Sequence, residues 1–126
     1  MNERLPKPNK LKSKKLIGSL FESGSSVKAY PLLLVYKKEA AIDVDFKVGF
    51  SVSKRNFKHA VDRNRIKRLL REYFRKNKYI IAQESSPFLF MFIFTGKNLP
   101  NYDDVSKAME KIARKFEQQI QQNQKS

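Results

Sequence analysis

The sequence predicts an α+β protein, a two-layer α/β sandwich with its elements in the order α-β-β-α-β-α. Two observations fix the strands. Residues 46–53 alternate strictly, Phe46, Val48, Phe50 and Val52 against Lys47, Gly49, Ser51 and Ser53, which is the period of a half-buried strand. Residues 88–95 (FLFMFIFT) are apolar at almost every position, which fits a strand that is central or covered on both faces. A third observation supplies the helices: apolar residues recur at steps of three and four before, between and after these strands.

Taken in order, residues 1–12 carry Arg4, Lys7, Lys10 and Lys12 together with Pro6 and Pro8, with little to bury, and read as a flexible basic arm. A single domain is expected over residues 13–121. Ser13 can cap a short helix with Leu16, Ile17, Leu20 and Phe21 on one face, and Gly24 suits its stop. Residues 30–37 (YPLLLVYK) read as a strand, with Pro31 confined to its start or to an edge. With 38–45 as a polar connection, this strand and 46–53 are expected to pair as an antiparallel hairpin. A basic loop, 54–59, leads into a helix from Ala60 to about Gln83, ended by Ser85-Ser86-Pro87. After the second apolar strand and a turn over 96–100, Asn101 or Asp103 can cap a last helix. Val105, Met109, Ile112, Phe116 and Ile120 form its apolar stripe. Residues 122–126 should fray. No internal repeat is visible.

Ten Phe and five Tyr in 126 residues suffice for a real core. The absence of Cys and the single His exclude disulfides and thiolate or His-clustered metal sites, and suit a reducing cytoplasm, the expected location. No apolar run approaches the ~18 residues needed to span a bilayer, and no apolar segment follows the charged N-terminus as in a secretory signal. The balance of 27 Lys and Arg against 12 Asp and Glu, a net charge of +15, calls for a polyanionic partner. Nucleic acid leads, ahead of an anionic membrane surface.

The charge is concentrated on one helix. Residues 54–78 hold eleven Lys and Arg against Asp62 and Glu72. At about 100° per residue, Ile66, Leu69, Leu70 and Tyr73 form an inward stripe. Asn64, Arg68, Arg71 and Arg75 form the opposite one, flanked by Arg65 and Lys67. Like charges at this spacing weaken a helix, so external phosphate is the natural counter-charge. Arg, whose planar fork grips phosphate and stacks on bases, predominates at the centre. A solvated charged face would normally mix signs. A DNA-reading helix-turn-helix would be mostly helical, whereas this helix lies among strands.

The Phe88–Phe94 aromatics could stack on bases but fit a buried strand better. Phe21, Tyr30 and Tyr36 lie near a face that could stay open, where core and single-strand-binding roles are balanced. His59 sits in the basic loop with no carboxylate or nucleophile in register, which suits a phosphate or loop hydrogen bond. Asp43 and Asp45 lie in a connection, and Asp103 and Asp104 look like helix-cap charges. No catalytic residue or metal ligand is therefore assigned to the protein.

The run Lys47-Val48-Gly49-Phe50-Ser51-Val52-Ser53-Lys54-Arg55, followed by His59-Ala60-Val61-Asp62-Arg63-Asn64-Arg65-Ile66-Lys67-Arg68-Leu69-Leu70-Arg71-Glu72, closely resembles the bacterial ribonuclease P protein subunit. The resemblance covers about residues 10–120. It implies a small mixed sheet with a left-handed crossover between its parallel strands, against the usual rule. It also implies a ribonucleoprotein endonuclease that removes the 5′ leader of precursor tRNA, catalysed by its RNA with Mg²⁺ held mainly by that RNA. The expected partners are ribonuclease P RNA and precursor tRNA, with no membrane and no protein partner required. By this resemblance Arg63, Asn64, Arg65, Lys67, Arg68, Arg71 and Arg75 bind the catalytic RNA. Ile17, Phe21, Tyr36, Lys54 and Arg55 bind the leader in a cleft between the first helix and the sheet. Many members carry two aromatics on that helix. Phe21 matches one, but Ile17 stands at the other, so stacking there gives way to apolar contact. A ribosomal or assembly RNA-binding module would share the charge but not this pattern, and a free-standing nuclease would need its own catalytic groups.

Overall fold

Residues 88–94 explain the sheet. In β4 (Phe88–Phe94), Phe88, Phe90, Phe92 and Phe94 face one way and Leu89, Met91 and Ile93 the other. A strand apolar on both faces is stable only with neighbours on both edges and cover on both sides. The computed structural model, which describes residues 7–81 and 87–125, places β4 inside a four-stranded sheet of order β1-β2-β4-β3. The other strands are β1 (Ser25–Ala29), β2 (Leu32–Lys38) and β3 (Phe46–Val52). The helices are α1 (Lys14–Ser23), α2 (Ala60–Ile81) and α3 (Tyr102–Lys125). The sheet is mixed: β2 is antiparallel to β1 and β4, and β3 runs parallel to β4.

This arrangement corrects two expectations. The expected hairpin between residues 30–37 and 46–53 does not form, because β4 enters between β2 and β3. The hairpin is instead β1–β2, turning at Tyr30-Pro31. β1 adds a strand to the expected order. It escapes a hydrophobicity reading because only Val27 and Ala29 of its five residues are buried.

Helices α2 and α3 lie on the Phe-rich face and enclose the main core. Phe116 of α3 meets the rings of Phe88, Phe90 and Tyr36 at 4.8–5.6 Å. From α2, Phe74 meets Phe46 and Phe92 at 5.4 and 5.8 Å. Helix α1 packs on the other face through Leu20, against Val35, Leu89 and Met91, so the sandwich gains a partial third layer.

The caps follow the sequence closely. Ser13 Oγ accepts from Leu16 N at 3.2 Å. Asn101 and Asp104 form a reciprocal capping box at 2.8 and 3.1 Å. Gly24 stops α1 with extended dihedrals: a Cβ there would lie 2.3 Å from the Leu20 carbonyl oxygen. In α2 the helical dihedrals break at Asn77, whose side-chain amide donates to the Tyr73 carbonyl at 3.0 Å. The expected stop at Ser85-Ser86 lies outside the described residues.

Residues 7–11 belong to the domain rather than to a free arm. Lys7–Asn9 form a 3₁₀ turn, Lys10 bridges to Val48, Leu11 N donates to the Val48 carbonyl at 2.9 Å, and Leu11 is buried. Together with Asn9 Nδ2 on the Phe46 carbonyl (2.9 Å), they cover the outer edge of β3, which would otherwise offer unpaired backbone groups. At the other terminus α3 runs helical to Lys125, so most of the tail expected to fray continues the helix. None of the described helices is long and apolar enough to cross a membrane.

Candidate nucleic-acid interface

Helix α2 is two-sided as expected, except that Leu69 of the inward stripe is half-buried while Phe74 is fully buried. Ile66, Leu70, Tyr73 and Phe74 are buried, while Asn64, Arg65, Arg68 and Arg71 are exposed. Lys67 and Arg75 are half-exposed at the flanks. Glu72 pairs with Lys76 at 3.6 Å, one turn away on the α3 side, and Lys76 also lies 5.3 Å from the Tyr102 ring. Arg71 sits 6.0 Å above the Phe50 ring, which lifts its guanidinium toward β3. Among the described residues, Arg65 and Arg68 have no hydrogen-bonding or ionic partner. They leave a cationic ridge with which neither Asp62 nor Glu72, the acids of this helix, forms an ion pair.

Arg63 departs from this row. Its Nη1 donates to the carbonyls of Phe57 (2.8 Å) and Lys58 (2.9 Å), so the guanidinium clamps the β3–α2 loop. Asn56 Nδ2 ties the same loop to the carbonyls of Thr95 and Gly96 at 3.3 and 3.2 Å, and Phe57 is buried against Phe94 at 6.0 Å. Lys54 and Arg55 stand exposed on this fastened loop. Neither Asn56 nor Phe57 was singled out from sequence; a lone Phe in a basic loop was the available signal, because it needs burial.

The α1 side of the sheet reads in rows set by the strand register. Lys28, Leu33, Ile93 and Ser51 form one row, Ser26, Val35, Met91 and Gly49 the next, and Lys37, Leu89 and Lys47 the third. Helix α1 covers the middle of the last two rows. Lys37 Nζ donates to Ser19 Oγ at 2.5 Å and lies 3.9 Å from Glu39. Gly49 lets Met91 pack flat, since a Cβ there would lie 2.8 Å from its Cε. The first row stays partly open, with Leu33 and Ile93 half-buried and Lys28 exposed. Phe21 projects from α1 with 52% of its surface exposed, while Ile17 packs against the sheet cluster.

Tyr36 is not part of this face. β2 points it, with Leu32 and Leu34, into the α2/α3 core, where it is 5% exposed between Phe88 and Phe116. The Gln119 side-chain amide donates to its hydroxyl. Burial pushes the Tyr36 hydroxyl pKa up, against the opposing pull of hydrogen bonds to Gln119 and Ser25. Its assignment to a cleft beneath α1 is therefore corrected. The remaining leader candidates divide between α1 (Ile17, Phe21) and the fastened loop (Lys54, Arg55). His59 is exposed, and its carbonyl accepts from Arg63 N at 3.2 Å. No three His, Asp or Glu side chains gather among the described residues in a way that could hold a metal ion.

The fold and surface together define a class: a small α+β protein with a mixed sheet, an uncompensated cationic helix on one flank, and a half-covered polar face on the other. A family model described as Ribonuclease P matches residues 5–117. The chain is 34% identical over 112 residues to the ribonuclease P protein component of Porphyromonas gingivalis, covering 85% of this chain and 82% of that one. It is also 34% identical over 122 residues to that of Chlorobium phaeobacteroides, covering 81% and 83%. Among solved structures, the RNase P protein of Staphylococcus aureus superposes with a TM-score of 0.71 at 24% identity, over 84% of this chain and 93% of that one. That of Thermotoga maritima gives 0.68 at 22%, over 83% and 96%. The chain belongs to the ribonuclease P protein component family.

Proposed function

We propose that this chain works in the cytoplasm as the protein subunit of a ribonuclease P ribonucleoprotein. In this reading it binds the catalytic RNA and the 5′ leader of precursor tRNA, and so assists Mg²⁺-dependent removal of the leader. The observation that carries the reading is the ridge of Arg65 and Arg68, with Asn64, Lys67, Arg71 and Arg75 beside it, on the outer face of a helix whose inner face is fully engaged. Such a ridge is a phosphate ligand in search of a polyanion. Arg63 contributes by holding the loop that carries Lys54 and Arg55. The leader lies across the α1 side of the sheet, where Phe21 supplies a stacking face and Ile17 an apolar one. In this reading the Mg²⁺ ions are held mainly by the RNA. They supply the activated water for phosphodiester cleavage, while the protein positions RNA and substrate.

Reconstitution tests this. The protein alone should cut no precursor tRNA, and adding it to a bacterial ribonuclease P RNA should raise cleavage at low Mg²⁺. Robust cleavage without the RNA, or no stimulation with it, overturns the reading. Phe21→Ala should weaken precursor binding more than mature tRNA binding, by about tenfold for one lost base stack. Equal losses for both would remove Phe21 from the leader path.

A further inference from the structure

Four large apolar side chains are exposed among the described residues: Phe21, Tyr30, Val61 and Leu99. Two of them share one cavity. Tyr30, 69% exposed, and Leu99, 47% exposed, both line a hollow of about 380 Å³ between the β1–β2 turn and the β4–α3 connection. Its size falls within the ~300–1,000 Å³ of ordinary small-ligand sites. Its frame is fixed. Thr95 donates to the Pro31 carbonyl from both N (2.8 Å) and Oγ1 (3.1 Å), and the Asn56 amide holds the Thr95 and Gly96 carbonyls. Gly96 keeps the floor flat, since a Cβ there would lie 2.8 Å from the Phe94 ring and 3.0 Å from Pro31.

The rim is cationic. Lys97, Lys107 and Lys111 surround the hollow, with Asp104 as its acid. Asp104 is turned to the Asn101 backbone N in the capping box. Lys107 touches Asp103 at 3.3 Å, an exposed pair of the kind that contributes little. Lys97 and Lys111 have no partner among the described residues. An exposed aromatic face beside two unengaged ammonium groups suits a ligand that is flat, apolar on its faces and anionic at its edge. An unpaired nucleotide has that chemistry, with its base on Tyr30 and its phosphate between Lys97 and Lys111. Position supports the same occupant. Tyr30 follows two residues after Lys28, which ends the partly open row Lys28–Leu33–Ile93–Ser51 at the β1 edge, so the hollow lies within a nucleotide's length of that row.

We infer that the Tyr30–Leu99 hollow is a second RNA contact that holds one unpaired nucleotide outside the α1 face. The nucleotide comes either from a long precursor leader or from a loop of the catalytic RNA, and the proposed function above enters only in naming these two RNAs. The test measures holoenzyme affinity for precursors with leaders from about two to ten nucleotides, and protein affinity for the catalytic RNA. It compares wild type with Tyr30→Ala, Tyr30→Phe and the pair Lys97→Glu/Lys111→Glu. Tyr30→Ala should lose about tenfold and Tyr30→Phe should keep most of the affinity, because the ring and not the hydroxyl stacks. A loss confined to long leaders assigns the nucleotide to the precursor, and a loss in catalytic-RNA binding assigns it to that RNA. Less than a twofold change in both overturns the inference, as does a Phe variant as weak as the Ala variant. Failure of the wild-type protein to stimulate cleavage would sink the proposed function alone. Binding of labelled oligouridylate to the free protein, wild type against Tyr30→Ala, would still decide this site.

Discussion

The two faces of the sheet are built on different terms. On the α2/α3 face every strand contributes its larger apolar residues, and two long helices close over them. No side-chain polar atom there is left buried without a partner among the described residues. On the α1 face the same strands place Ser26, Lys28, Lys37, Lys47, Gly49 and Ser51 around a smaller apolar patch, and one ten-residue helix covers only its middle. The first face is completed by the chain itself. The second is half completed, and its uncovered part sets exposed Lys28 and Ser26 beside half-buried Leu33 and Ile93, an arrangement that suits contact with water or with a polyanion.

The sharpest way to break this contrast uses neighbours in β4. Phe92→Ala on the closed face should cost about 4 kcal/mol of stability, and Ile93→Ala on the half-covered face about 1.5 kcal/mol. Denaturant unfolding measures both, and equal losses would mean the faces are equally packed. Next in size is the ridge on α2. Arg65→Glu with Arg68→Glu should weaken binding of the catalytic RNA about hundredfold, or about 3 kcal/mol. The log–log salt dependence should flatten by roughly one unit for each phosphate contact removed. Stability should change by less than about 0.5 kcal/mol, as for exposed sites generally. Unchanged RNA affinity would leave the ridge without a role.

Arg63→Met should behave differently from its exposed neighbours. Losing two carbonyl hydrogen bonds at the loop should cost about 1.5 kcal/mol of stability. If it instead weakens RNA binding with stability intact, Arg63 is a phosphate ligand and not a clamp. The smallest effect is on pH dependence. Burial, and secondarily Glu110 and Tyr102, raise the Tyr73 hydroxyl pKa above its ordinary value. The fold therefore favours the neutral phenol. That contribution is complete below pH ~10, the unfolded value, and is lost as pH rises through the higher folded value. Unfolding free energies of wild type and Tyr73→Phe, followed from pH 8 to 11, should show a shallower alkaline decline in the variant. Parallel declines would mean Tyr73 is not the titrating group.

How much of this was legible depended on periodicity. The outer and inner stripes of α2 came directly from its spacing, and the core role of the β4 aromatics from an unbroken apolar run. Arg63 lies closer to the buried side of the same helix wheel, and only the family resemblance places it among the RNA-binding residues. Tyr36 was misplaced for a clearer reason. Its strand (YPLLLVYK) is apolar almost throughout, so nothing local says which residues face which way. Only pairing with Phe90 of β4 sets that parity. β1 was missed because it is short and Ser-rich, and the insertion of β4 because strand order is a property of the whole sheet.

That insertion also governs when the sheet can exist. Only β1–β2 is a local pairing; β2 and β3 each wait for β4 as a hydrogen-bonded neighbour. During synthesis the cationic α2 is complete before the strand that ties the sheet together has been made. Completing the sheet therefore requires pairings between strands far apart in the sequence. A chain truncated before residue 88 would leave β3 with no strand beside it.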